Sequence, residues 1–253
     1  MQTQTITPEI VTPVGREGIR RHVIRALKLG LPVLLEQPPL VGLGMTLVAN
    51  GPSARSAPLT ADNSIAVNGA LDLFVKQGIA PAFWISADPQ ALVADFLRDA
   101  PAETIYLVPS QAHPDVFRAL RHHDVRLWHL ADNESTDLFE PDTERVMGGC
   151  SSTLRALSLF ARLGVQHFNI WGWDGCFLDG QHHATAQDAP GDVIDVRIQG
   201  LAEPFKSSHT WALEAGHAVN QLSQSYFSLT VHGPGMIAAV LRHMGVKNLL
   251  SLN

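Results

Sequence analysis

The chain has 253 residues, of which 45% are apolar, 17% charged and 7% aromatic, with a formal net charge of −6. That length and composition suit one larger α/β domain, or one domain with an insertion, and exclude a disordered chain. Lys and Arg are dispersed except at Arg16, Arg20, Arg21, Arg25 and Lys28, which argues against nucleic acid as a partner because phosphate-backbone affinity needs a concentrated basic surface.

Cys150 and Cys176 are too few for a disulfide framework and lie in no CxxC spacing, so a reducing cytoplasm is the expectation. The segment MQTQTITPEIVTPVG lacks the basic stretch and apolar core of a secretory leader, and no transmembrane run is expected. Ile19, Val23 and Leu27 recur at helical spacing and predict a helix over 18–29 on the outside of the fold. The glycines of Val41-Gly42-Leu43-Gly44 precede the next strand instead of following it, so they are not a dinucleotide fingerprint.

Met45 to Ser53, MTLVANGPS, reads as a short buried strand running into a tight turn. An apolar run ending in Gly-Pro is the pattern of a central strand in a parallel sheet, and ligands bind beyond the carboxyl ends of such strands. Gly51 is expected to take a positive φ and let a phosphate approach its N–H. Asn50 and Ser53 add side-chain donors, and Pro52 fixes the loop. The turn is a candidate nucleotide site, although an ordinary βα turn has the same chemistry.

Strands are expected next at 64–67, 82–86, 104–108 and 125–130, with helices at 70–77, 90–98 and 115–122 between them. This alternation predicts an α/β, Rossmann-like, mainly parallel sheet with helices on both faces. Asn50, Asn68 and Asp88 close three successive strands, and at one sheet edge they would line one pocket. Residues 132–146 are polar and aperiodic, a loop expected to border the cleft. In GGCSSTLRALSLFARLG the glycines permit a sharp turn and Ser151 or Ser152 caps a helix, whose N-terminus is an anion site by geometry or simply a capped end. A strand at 168–171 closes with Gly172-Trp173-Asp174. Residues 175–207 break the alternation and read as a small lid at the ligand end of the sheet, with a strand at 193–198. A helix at 211–223, a strand at 227–231 and a helix at 235–243 complete the pattern. The domain reading is a helical extension over 1–40 and a nucleotide-binding domain over 41–253 that carries the lid.

Asp174, Asp179, His182 and His183 match no closed zinc spacing. Magnesium held jointly by Asp88 or Asp174 and a nucleotide phosphate suits the carboxylates better. Cys150 lacks a cysteine-hydrolase signature and reads as packing. His209, after the polar insertion and just before a helix, is a candidate general base or a surface histidine at a helix start.

NGPS, AVNGALDLFVKQGIAP leading to ISADPQ, GGCSSTLRALSLFARLG and WGWDGCFLDGQHHA, in that order, resemble the 6-hydroxymethylpterin diphosphokinase-like domain. That domain is shared with motility accessory factor proteins implicated in flagellin glycosylation. The order of motifs is also similar to bacterial sialyltransferases that use cytidine-monophosphate sialic acid, and the resemblance runs from about Met45 to the C-terminus. It implies donor-nucleotide contacts at Asn50, Gly51, Ser53, Asn68 and Ser151 or Ser152, with Asp88 and Gly172 beside them. By its relation to Pro234, His209 would be the catalytic base.

Gly149 and Cys176 stand where the sialyltransferases carry an arginine and a tyrosine. The DG-x-HHA segment is closer to the diphosphokinase-like branch, which implies ATP and magnesium with Asp174 or Asp88 at the reacting phosphates. The expectation is a transferase that takes a nucleotide or nucleotide-sugar donor and passes a sugar to an unidentified hydroxyl acceptor. The alternatives are a magnesium-dependent diphosphokinase acting on a pterin alcohol and a catalytically silent nucleotide-binding module. The sequence carries no signal of oligomeric state.

Overall fold

The computed structural model describes residues 13–34, 40, 42–247 and 249. Most of the first third of the expected extension, residues 1–12, and Val41 of the glycine-rich segment lie outside them.

In chain order the elements are α1 (Gly15–Leu27), β1 (Gly44–Val48), β2 (Ser64–Val67), α2 (Leu71–Lys76), β3 (Phe83–Ile85), β4 (Ile105–Pro109), α3 (Pro114–Ala119) and β5 (Asp124–Trp128). Then come α4 (Ser152–Arg162), β6 (His167–Trp171), β7 (Ile194–Val196), β8 (Phe205–Ser207), α5 (His209–Ser223), β9 (Ser228–Val231) and α6 (Met236–His243). Seven strands form one sheet in the order β5-β4-β3-β2-β1-β6-β9, with every neighbouring pair parallel.

The strands are apolar on both faces because both are covered, and the period of two sorts the residues. Leu47, Ile65, Val67, Ile85 and Leu107 join Leu154, Leu157 and Phe160 of α4 and the inner faces of α5 and α6 in one buried cluster. Their neighbours Val48, Ala66, Trp84, Tyr106 and Val108 point the other way, onto Leu71 and Phe74 of α2 and Val116 of α3. Each fully buried Leu or Phe contributes about 1.5–3 kcal/mol, so this two-sided burial is what holds the parallel sheet together. The fold is α/β and Rossmann-like.

Three expectations change. Residues 90–98 form a 3-10 helix, Ala91–Leu97, instead of an α-helix. It buries only Val93 and Leu97, so little packing favours the wider turn. The strand at 193–198 shrinks to β7, which pairs antiparallel with β8 in a two-stranded ribbon outside the main sheet. The helix expected from 211 begins at His209, because the Ser208 hydroxyl accepts from the Trp211 N–H and caps it two residues earlier. Residues 132–146, with one 3-10 turn at Thr136–Leu138, lie against α1 through the Arg20–Asp137 ion pair and against α4 through Glu144–Arg162.

Candidate functional site

Strand order reverses at β1: the chain runs outward from β1 to β5 and returns to place β6 on the other side of β1. The crevice past the carboxyl ends of β1 and β6 is where an open parallel sheet takes a ligand. Register brings the expected residues to one edge, since Val48 lies beside both Ala66 and Trp171, and Val67 beside Ile85. Asn50, Asn68 and Ser86 therefore emerge level, with Asp88 two residues further along and Gly172 beside Ala49.

The turns after β1 and β6 are tied together. Gly51 N–H donates to Gly172 O at 2.7 Å, Ser53 Oγ accepts from Gly172 N–H at 3.0 Å, and Ser53 N–H donates to Asp174 Oδ2 at 2.8 Å. Gly51 does not take a positive φ; its φ is −71°. Glycine is needed there for close approach, because a Cβ would sit 2.5 Å from both Asp174 Oδ2 and Gly172 O. The left-handed backbone belongs to Gly172, at φ 70°, and to Asn68, at φ 51°. The Gly51 amide expected to meet a phosphate is thus spent on Gly172 O, and the Ser53 hydroxyl expected as a donor accepts from the Gly172 N–H. Pro52, buried, starts the 3-10 helix Pro52–Ser56 that follows. Asp174 is 2% exposed, and burial raises its pKa against the opposing bonds from Ser53. Its Oδ1 has no hydrogen-bond partner among the described residues.

A second knot joins β2, β3 and α4. The Ser152 hydroxyl donates to Asn68 Oδ1 at 3.3 Å and accepts from Ala87 N–H at 2.9 Å, which seats the start of α4 over two strand ends. Ser151 is the cap: its side chain accepts from Leu154 N–H at 3.2 Å. Asp88, next to Ala87 and half-buried, turns its two oxygens to Gln90, accepting from the backbone N–H at 2.9 Å and the side-chain amide at 3.2 Å. Behind this knot lies Glu214 of α5, which the sequence reading missed. Burial raises its pKa, while the Ser151 hydroxyl and the Trp173 indole, donating at 2.7 Å, hold it in place. A buried Glu on an otherwise apolar helix face was the available signal.

Asn50 joins the two knots. A Cβ on Gly69 would sit 2.9 Å from Asn50 Nδ2, so Asn50 packs directly on the β2 turn. Its other partners come from the insertion. Ala184 N–H donates to Asn50 O at 2.8 Å and the Asn50 amide donates to Gln187 Oε1 at 2.9 Å. The Thr185 hydroxyl lies 2.9 Å from Asn50 Oδ1 and 3.2 Å from Gly69 O. No spacing in the sequence signals Thr185 or Gln187.

His209 stands apart from both knots. Its side chain is 77% exposed, and its ring Nδ1 and backbone N–H both lie against Asp192 Oδ2, at 2.5 and 2.8 Å. The same two bonds hold the Asp192 carboxyl below the usual range, the backbone bond most. With Nδ1 engaged, Nε2 is the nitrogen left to take a proton. The link to the rest of the site runs through Trp211, two residues on, whose ring lies 5.8 Å from that of His183.

A cavity of about 440 Å³ opens on the far side of the 51–53 turn, among Ser53, Arg55, Trp171, Gly233 and Pro234. Among the described residues no three His, Cys, Asp or Glu side chains converge as a metal site. Magnesium needs only one or two carboxylates when phosphates supply the remainder. Half-buried Asp88 fits that role once Gln90 turns away. Asp174 is 2% exposed, and its Oδ2 accepts from the Ser53 N–H.

Among solved structures the fold is similar to that of a MAf glycosyltransferase from Magnetospirillum magneticum AMB-1, with a TM-score of 0.57 and 15% identity. The match covers 79% of this chain and 33% of that one, so this chain spans about a third of that protein's length. No curated protein matches the sequence closely enough to add a relative. Among the described residues no helix is long and apolar enough to cross a membrane. A family model described as 6-hydroxymethylpterin diphosphokinase MptE-like matches residues 43–180, more than half of the sequence, and the chain belongs to that family.

Proposed function

We propose that the chain is a transferase that binds a nucleotide-activated donor at the strand-end knots and passes its activated group to a hydroxyl acceptor. The observation that carries this reading is the Ser152 bridge. It sets the N-terminus of an eleven-residue helix over the ends of β2 and β3, next to the strand β1 at which the order reverses. A helix start presents free N–H groups and the positive end of its dipole, which suits a phosphate, while Asn50, Asn68 and Asp88 offer polar groups to ribose and base.

In the sugar-transfer form the acceptor oxygen attacks the donor carbon while His209, oriented by Asp192, takes the acceptor proton. The nucleotide leaves with its phosphate charge against the start of α4. The nucleotide-sugar donor is supported by the glycosyltransferase among similar folds. The family description supports a second form, in which ATP supplies a diphosphate to a pterin alcohol. There magnesium, held through Asp88, would neutralise phosphate charge. Two free cysteines suit a reducing cytoplasm.

Calorimetric titration with cytidine monophosphate, and with ATP with and without magnesium, separates the forms. Tighter binding of the cytidine nucleotide without magnesium favours sugar transfer, and magnesium-dependent ATP binding favours the diphosphokinase form. Ser152→Ala should weaken whichever nucleotide binds by roughly tenfold, because the helix start loses the bridge to Asn68 and Ala87 that seats it over the strand ends. Unchanged affinity in that variant removes the helix start from the site.

A further inference from the structure

The insertion lies across the donor turn in a way that a nucleotide cannot share. Asn50 is 8% exposed, and its carbonyl, its amide oxygen and its amide nitrogen are engaged by Ala184, Thr185 and Gln187. The Thr185 hydroxyl also reaches Gly69 O, so the segment spans the turns after β1 and β2 together. Arg55, in the 3-10 helix Pro52–Ser56, donates through Nη2 to His183 O at 3.1 Å and through Nε to Ala184 O at 3.2 Å. A hydroxyl and a carboxamide held against an asparagine and a backbone carbonyl are the groups that a ribose and a nucleobase would present there.

We propose that residues 183–187 form an intrasteric strap, a peptide stand-in for the donor nucleotide that must leave Asn50 before the donor can bind. This rests on the reading of the Asn50 turn as the donor site. The strap is lightly held: Ala186 and Gln187 are exposed, and its apolar anchorage is Ala184 and the His183 ring against Trp211. A weakly held strap that competes with the ligand lowers apparent affinity by the fraction of molecules in which it is released. It also ties site opening to the ribbon further along the same insertion and to His209, which opens the helix just after it.

The test compares nucleotide binding by wild type, Thr185→Val with Gln187→Leu, Arg55→Ala and Asn50→Ala, with cytidine monophosphate and magnesium-ATP as probes and thermal melts confirming that each variant is folded. Both strap variants should bind at least about tenfold more tightly than wild type, since the first removes three hydrogen bonds from the closed form and the second two, and Asn50→Ala should lose binding. Arg55→Ala is the independent arm because Arg55 makes no hydrogen bond to Asn50. Hydrogen exchange at the Ala184 amide, which Asn50 O protects, should speed up when nucleotide saturates the protein.

Strap variants that bind as wild type does, or more weakly, while Asn50→Ala loses binding, overturn the strap and leave the donor site standing. Slower exchange at Ala184 on saturation also overturns the strap. Asn50→Ala binding unchanged, or neither probe binding any of these proteins, removes the donor-site reading and the strap with it.

Discussion

The Ser53 backbone N–H and the Asp174 carboxylate meet at 2.8 Å across the seam between β1 and β6, so each strand-end turn holds its shape through the other. Gly51 and Gly172 make that closeness possible. Adding a methyl group at Gly172 brings it within 2.2 Å of Ala49 O at a φ of 70°, a position both crowded and strained for an L side chain. Gly172→Ala should therefore destabilise by about 1–3 kcal/mol or more, and more than Gly51→Ala, whose backbone is ordinary. Urea unfolding curves read both values; equal midpoints for Gly172→Ala and wild type would contradict the seam.

His129 gives a pH signature. Burial, and then the charge of Arg145, lowers its pKa to about 4, with its Nδ1 beside Ser110 Oγ and its ring against Phe139. Between about 4 and 6.5 the unfolded chain takes up a proton here that the folded one refuses, so stability falls as pH drops through that window. Half-buried His183, lowered to about 4 by burial and by His182, acts in the same direction. Asp174 and Glu214 act oppositely: their raised values favour the folded state below the ordinary carboxylate range, and that contribution is lost as pH rises through the raised values. The difference between wild type and His129→Gln isolates the histidine. The wild-type profile should be steeper by up to about 1.4 kcal/mol per pH unit in that window, and parallel profiles would rule the assignment out.

The thiols should be inert. Burial pushes both Cys150 and Cys176 up to about 11, with Glu214 adding to the rise at Cys150 and Asp174 at Cys176. Alkylation by iodoacetamide at pH 8 should be roughly a hundredfold slower in the native protein than in urea, because the thiolate is the reacting form. Rapid labelling of native Cys150 would restore it as a candidate nucleophile.

The strand and helix succession was legible because fully buried strands read as apolar runs and the turns between them carry Gly, Pro and Asn. The MTLVANGPS stretch announced β1 and its turn for that reason. The sign of φ at Gly51 was not legible: a glycine required by a neighbouring chain looks the same in sequence as one required by its own backbone. Thr185, Gln187 and Asp192 were invisible because their partners lie 135, 137 and 17 residues away, set by how a long insertion folds back and by no local spacing. That Asp174 Oδ2 closes the seam with the Ser53 N–H was not legible either, since the two lie 121 residues apart.

Under the proposed function, His209 and Asp192 act as one unit. His209→Ala should lower turnover by roughly 10²–10⁴-fold with donor affinity unchanged, since proton transfer acts in the transition state and the donor is held elsewhere. Asp192→Asn should lower turnover as well, because the ring loses the carboxylate at Nδ1. Donor consumption with a hydroxyl acceptor, or hydrolysis to free nucleotide, supplies the assay; wild-type rates in both variants would make the pair a surface ion pair.

Under the proposed function the ends of β1, β2 and β3 and the start of α4 form one nucleotide site. Backbone amide chemical shifts recorded while cytidine monophosphate or magnesium-ATP is added test it most directly, because they locate the ligand without requiring turnover. The largest changes should fall at Asn50, Gly51 and Ser53, at 68–69, 87–88 and 151–153, with a further set at 183–187. Saturable changes confined to the β7–β8 ribbon or to α1, with residues 50–53 and 151–153 unmoved, would contradict it.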